Sequence, residues 1–114
     1  MPPDDLIRLR HMLEAAEEIS RFIDGKEFPD FEKERMLSLS VIKALEIVGE
    51  AAGRVSETTR KALPEIPWTD IVGMRNRLIH GYFDVNLQIV WKTVQTDLPP
   101  LIQSLEAYLN KPEN

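Results

Sequence analysis

Apolar residues recur at helical spacing along almost the whole chain and nowhere alternate as in a half-buried strand. Leu6, Leu9, Leu13, Ala16 and Ile23 mark a first helix. Pro2, Pro3, Asp4 and Asp5 suit its start, because a first turn tolerates proline and the positive end of the helix dipole favours acids. It is expected to run to Phe22 or Ile23, before Gly25 and Pro29 break the pattern. A long second helix is expected from near Phe31, with Leu37, Val41, Leu45, Val48, Ala52 and Val55 as its apolar stripe. A second stripe on it is unusual: Leu39, Ile42, Glu46, Gly49 and Gly53. Glycine costs about 1 kcal/mol inside a helix relative to alanine, so two such positions need a reason. One reason is close packing of another helix of the same chain. The other is a contact between subunits.

Ser56 to Leu63 reads as a short helix ended by Pro64, and Leu63 to Pro67 as extended, since a residue before proline avoids the α region. Pro67 then opens a third main helix with Asp70 in its first turn, Trp68, Ile71, Met74 and Leu78 as its apolar face, and Gly81 at its end. The last segment starts at Asp84 or Asn86, both good caps. Leu87, Trp91, Val94, Leu98, Leu101, Leu105 and Tyr108 keep one register through Pro99-Pro100, which predicts a single long helix with a proline kink. The fold expected is all-α: an up-and-down bundle of four main helices plus a short helix.

Composition narrows this little. A chain of 114 residues, 43% hydrophobic and 29% charged, suits one soluble globular domain spanning residues 1–114. No apolar run has the length of a membrane span, and the first residues lack the basic-then-apolar pattern of a secretory signal. The absence of cysteine removes disulfides and thiolate chemistry and suits a cytoplasmic protein. A net charge of −5 argues against a general nucleic-acid binder. It does not exclude a local basic pocket: Ile71 to Tyr82 holds Arg75 and Arg77 and no acid.

That segment carries the candidate chemistry. Taken singly, His80 suits a helix C-terminus, the arginines suit solvent or an internal salt bridge, and Tyr82 suits a half-buried core position. Together they suit cleavage of an RNA phosphodiester. The imidazole of His80 is the side-chain type whose unperturbed pKa lies near neutrality, and it can take a proton from a 2′-hydroxyl or give one to a leaving 5′-oxygen. Arg75 offers a planar fork to phosphate oxygens and charge to the transition state. Asn76 can bond a phosphate or fix a histidine tautomer. No carboxylate–histidine cluster has metal-ligand spacing, so chemistry without metal or other cofactor is the simpler expectation. On an ideal helix, however, Arg75 and His80 point roughly 140° apart, and a single His80 does not easily serve as both acid and base. A two-fold dimer would relieve both difficulties by bringing two copies of the segment to one cleft.

The pattern Arg75-x4-His80-x-Tyr82, with Asn76 behind Arg75, resembles the motif of HepT-like proteins, a branch of the HEPN superfamily of helical ribonucleases. Pro67-Trp68, the run from Met74 to Phe83, Val90-Trp91 and the stretch from Ile47 to Ala52 are similar to that branch as well. The resemblance implies a HEPN-like fold, a homodimer, and a metal-independent endoribonuclease site composed across it, acting on tRNA or mRNA. It implies the toxin of a toxin–antitoxin pair, whose usual partner resembles a minimal nucleotidyltransferase (MNT, or MntA) that transfers AMP from ATP onto the motif tyrosine. Carried onto this chain, Arg75 and His80 are the catalytic pair, Asn76 is a supporting polar residue, and Tyr82 accepts AMP. A phosphate added beside Arg75 and Arg77 would fill the place that the RNA phosphate needs. The alternative expectation is a non-catalytic helical dimer that binds a nucleotidyltransferase or a nucleotide. A third, plainer expectation is a structural bundle in which Arg75 pairs with a buried acid.

Overall fold

The computed structural model describes residues 1–80, for His80 the backbone only, and 85–110. The described residues form seven helices and no strand: α1 (Pro3–Ile23), α2 (Phe28–Lys33), α3 (Arg35–Gly53), α4 (Glu57–Ala62), α5 (Trp68–His80), α6 (Leu87–Thr96) and α7 (Leu98–Leu109). The all-α expectation holds, with more breaks than the periodicity shows. None of these helices is long and apolar enough to cross a membrane.

The expected second helix is two helices. Glu34 adopts an extended conformation (φ −85°, ψ 94°) between α2 and α3. The break lets α2 turn its aromatic face inward: Phe31 is fully buried, and Phe28 and Phe31 pack on Trp91 of α6 with ring centroids 6.4 and 5.1 Å apart. The Glu27 amide donates to Asp30 Oδ2 at 2.9 Å and tightens the first turn of α2. The expected single C-terminal helix is also two, α6 and α7, meeting at Asp97. Pro99 and Pro100 lack amide hydrogens, so the carbonyls one turn earlier lose their helical donors and the ladder opens there. The shared register persists, with Val94, Leu98, Leu101 and Leu105 buried and Leu87, Trp91 and Tyr108 partly so, while Val90 is buried beside them.

The centre of the fold is α3. One side of it packs on α1, which in turn packs on α7, and another side packs on α5. Leu9, Met12, Ala16 and Ile19 of α1 meet Val41, Leu45, Val48 and Ala52 of α3 in the main core. Burying a side chain such as Leu9 or Ile19 is worth roughly 1.5–3 kcal/mol, so this layer supplies much of the driving force.

The turn from α3 to α5 is tied by polar contacts between distant residues. Asp5, only 3% exposed, accepts from the Ser56 amide at 3.0 Å, from the Ser56 hydroxyl, and from the Thr59 hydroxyl at 2.6 Å. The Ser56 hydroxyl also accepts from the Thr59 amide at 3.4 Å, capping α4. Arg60 donates to the Val55 and Ala52 carbonyls at 3.1 and 2.9 Å, closing the end of α3. Its guanidinium carbon lies 5.7 Å from the centre of the Trp68 ring. The Trp68 indole donates to the Leu63 carbonyl at 3.1 Å. The first turn of α5 is thereby anchored.

Candidate functional site

From that anchor α5 stays α-helical through His80. Pro67 supplies a preset φ and its carbonyl accepts from the Ile71 amide at 3.0 Å. Ile71 and Leu78 are buried, Val72 and Met74 are partly covered, and Asn76 and Arg77 are exposed. His80 closes the helix, and its side chain lies outside the described residues, as do Gly81 and Tyr82. The backbone of α5 keeps helical geometry from Arg75 to His80, so the two positions lie roughly 140° apart around the helix axis.

Arg75 lies against α3, above the glycine stripe. A side-chain carbon added at Gly49 would overlap both Cβ and Cγ of Arg75 and would lie 3.3 Å from the Ile71 carbonyl oxygen. A carbon added at Gly53 would meet only a Val72 methyl, at 3.9 Å. Both glycines thus face α5 of the same chain. Of the two reasons considered for them, close packing within the chain is the one the fold uses at these positions.

This seat leaves Arg75 in an unusual state. The side chain is half-buried, and its Nε is enclosed with no hydrogen-bond partner among the described residues. Among the described residues no carboxylate pairs with its guanidinium; the ion pairs found there join Lys26–Glu34, Lys43–Glu46, Arg54–Glu50 and Lys61–Glu57. The plainer expectation of a buried Arg75 salt bridge therefore has no described acid behind it. A cation held in this way can serve an anion from outside.

Two other concave places compare poorly as phosphate sites. A groove of about 360 Å³ runs along another flank of α5, over Ile66, Ile71, Met74 and Leu101, but Glu65, Asp70 and Asp97 also line it and would repel phosphate. A groove of about 270 Å³ between α1 and α3 is lined by Arg8, His11 and Arg54, where Arg54 already bonds Glu50 at 3.2 Å.

The family described as Ribonuclease HepT-like matches residues 12–108. The chain belongs to the HepT-like family. The resemblance seen in the Arg75-x4-His80-x-Tyr82 pattern is thereby upheld, and with it the HEPN-like class of fold. Among relatives of this HepT-like chain, "Probable ribonuclease HepT" of Thermococcus cleftensis is 41% identical over 93 residues, covering 82% of this chain and 84% of its own length. A protein of Caldanaerobacter subterraneus subsp. tengcongensis named as a candidate RNase is 36% identical over 103 residues, covering 90% of this chain and 92% of its own. One of Methanocaldococcus jannaschii, named in the same way, is 36% identical over 98 residues, with coverages of 86% and 90%. None of the solved structures matches the chain.

Sequence reasoning did not find Asp5 or Arg60 as structural polar residues. Both act across contacts that close only in the fold. Gly49 was visible as an anomaly, but its partner was not.

Proposed function

We propose that this protein is a metal-independent endoribonuclease, the toxin of a HEPN/MNT toxin–antitoxin pair, with Arg75 and His80 as its catalytic residues. The observation that carries the reading is the half-buried Arg75 guanidinium, seated on Gly49 and paired with no carboxylate among the described residues. Membership of the HepT-like family and the names of the relatives support it.

In this reading a ribose 2′-oxygen attacks the adjacent phosphorus, the bond from phosphorus to the 5′-oxygen breaks, and a 2′,3′-cyclic phosphate remains. His80 takes the 2′-hydroxyl proton or protonates the leaving 5′-oxygen, and Arg75 stabilises the charge gathering on the phosphoryl oxygens. Two copies of the chain supply two histidines, so that one acts as base and the other as acid. The divergence of Arg75 and His80 along α5 supports such a homodimer, since one chain cannot aim both at a single phosphate without reshaping the helix end. In this reading Asn76 and Arg77, both exposed, hold flanking RNA phosphates. Incubating the purified protein with total RNA in EDTA, beside His80→Ala, tests the activity. Cleavage by the wild type alone is expected, and equal cleavage by the variant would sink the assignment.

Control is assigned to Tyr82. A nucleotidyltransferase partner of the MNT type moves AMP from ATP to the phenol oxygen, pyrophosphate leaves, and the new phosphate competes for Arg75. Intact mass should rise by whole AMP units in the wild type and stay constant in Tyr82→Phe; equal modification of both would refute the acceptor.

The net charge of −5 favours one other reading, a helical dimer that binds a nucleotidyltransferase or nucleotide without cleaving RNA. It predicts that expression of the protein alone leaves growth unchanged. Growth arrest that disappears in Arg75→Ala and in His80→Ala would exclude it.

A further inference from the structure

Gly49 and Gly53 share one stripe of α3 and both face α5, but they are not equivalent. Space for a methyl exists at Gly53, where the nearest neighbour is a Val72 methyl at ordinary contact distance. At Gly49 an added carbon would fall on the Cβ and Cγ of Arg75. The Cβ of Arg75 is fixed to the backbone and cannot swing aside. Accommodating a side chain at Gly49 therefore requires α5 itself to lift from α3.

We propose that Gly49 is a positioning residue for Arg75 and decides which edge of its guanidinium meets a phosphate. The inference rests on the reading of Arg75 as a phosphate-binding group given above. A guanidinium can offer an anion two kinds of bidentate edge: Nε with one Nη, or the two Nη groups together. The enclosed Nε closes the first kind. Only the terminal edge remains, and its placement is set by how deeply the first carbons of the side chain sit on the bare backbone of α3. A methyl at residue 49 lifts that seat, uncovers Nε and moves the terminal edge away from its working position. Gly49 itself touches no substrate; it acts through Arg75.

The test compares Gly49→Ala with Gly53→Ala in the full chain. In steady-state RNA cleavage, Gly49→Ala is expected to lower kcat roughly 100-fold, the scale of an ångström-sized misplacement of a reacting group. Gly53→Ala is expected to cleave near the wild-type rate. Both are assayed well below their melting temperatures. The second readout uses protein labelled with 15N-arginine and titrated with inorganic phosphate. In the wild type the Arg75 Hε should exchange slowly with solvent and its signal should barely move on titration; in Gly49→Ala it should exchange fast. A merely structural glycine would lower the melting temperature and leave Hε protected, so a protected Hε in Gly49→Ala overturns the proposal. Equal loss of kcat in both alanine variants also overturns it. If the wild type cleaves no RNA, the ribonuclease reading fails, and the Hε measurement alone decides the role of Gly49. Should Gly49→Ala not fold, it is combined with Arg75→Gly, which removes the clashing carbons. The pair is expected to fold, and its failure beside a folded Arg75→Gly would place the clash elsewhere and overturn the assignment.

Discussion

Asp5 and Arg75 both bring charge into the interior of this fold, under opposite conditions. Burying a charge is costly unless hydrogen bonds or a counter-charge offset the loss of water. At Asp5 the offset is complete: two hydroxyls and an amide from the start of α4 converge on the carboxylate. At Arg75 it is not: among the described residues the Nε has no partner and no acid neutralises the fork. A satisfied buried charge serves the fold. A half-buried guanidinium that no described acid pairs with leaves its terminal edge open to an anion from outside. Under the proposed function, the two sites would separate stability from catalysis within one small chain.

The sharpest way to break that contrast is to remove the working groups. His80→Ala and Arg75→Ala are each expected to lower RNA cleavage by roughly 100-fold or more, the usual scale for a proton-transfer group or a transition-state donor. Their unfolding midpoints should stay close to wild type. A large fall in the urea midpoint of Arg75→Ala would instead mark that arginine as structural.

Asp5→Ala should do the reverse. It strands three donors at a buried position, which costs about 3 kcal/mol or more by denaturant titration. Cleavage per folded molecule should be unchanged, and a specific loss of activity would join Asp5 to the site.

The same contrast has a pH signature. The Ser56 hydroxyl, then the Thr59 hydroxyl and the Ser56 amide, hold the Asp5 carboxyl below its ordinary value of 3.8, outweighing the opposing effect of burial. A carboxylate with a lowered folded pKa contributes stability that is complete above the unfolded value. Its contribution is lost as pH falls below 3.8 through the folded pKa. Melting curves from pH 6 to pH 2 should therefore fall less steeply in Asp5→Asn, on the order of the one titrating group removed. An unchanged acid limb would mean that other carboxylates govern it.

The smallest expected effect is that of Thr59→Val, which removes one of the Asp5 donors while keeping its volume and should cost about 1 kcal/mol. Thr59→Ser should recover most of it in the same unfolding measurement, and no recovery would assign the loss to packing rather than to the hydroxyl.

These differences mirror what can be read from the sequence. The stripes of α3 and α7 are local patterns, and they appear where the periodicity places them; on α1 the buried face is turned from the expected one, with Leu6 exposed and Met12 and Ile19 fully buried beside Leu9 and Ala16. Arg75, Asn76, Arg77, His80 and Tyr82 stand out in the sequence as a proposed group because their chemistry is dense within one segment; of their side chains, those of Arg75, Asn76 and Arg77 are among the described residues, all on α5. What periodicity does not carry is contact between remote residues. Asp5 looks like an ordinary first-turn acid until Ser56 and Thr59 arrive from more than fifty positions away. The break at Glu34 is equally silent, because the reason for it, Phe31 against Trp91, lies across the fold. The phase shared across Pro99-Pro100 concealed the opening at Asp97: a register survives the loss of two backbone hydrogen bonds as long as the buried face is kept.

The anchoring of Trp68 has a mechanical consequence. The indole is pinned by the Leu63 carbonyl and covered by Arg60, at one end of a rod whose other end is His80. That rod is about 18 Å long at helical rise, so a tilt of about 3° at Trp68 displaces the far end by about 1 Å. The corner that closes α3 is thus the fulcrum of a lever: small repacking around Arg60 and Trp68 is magnified where the histidine sits, and Gly49, partway along, is the rest against which the lever bears.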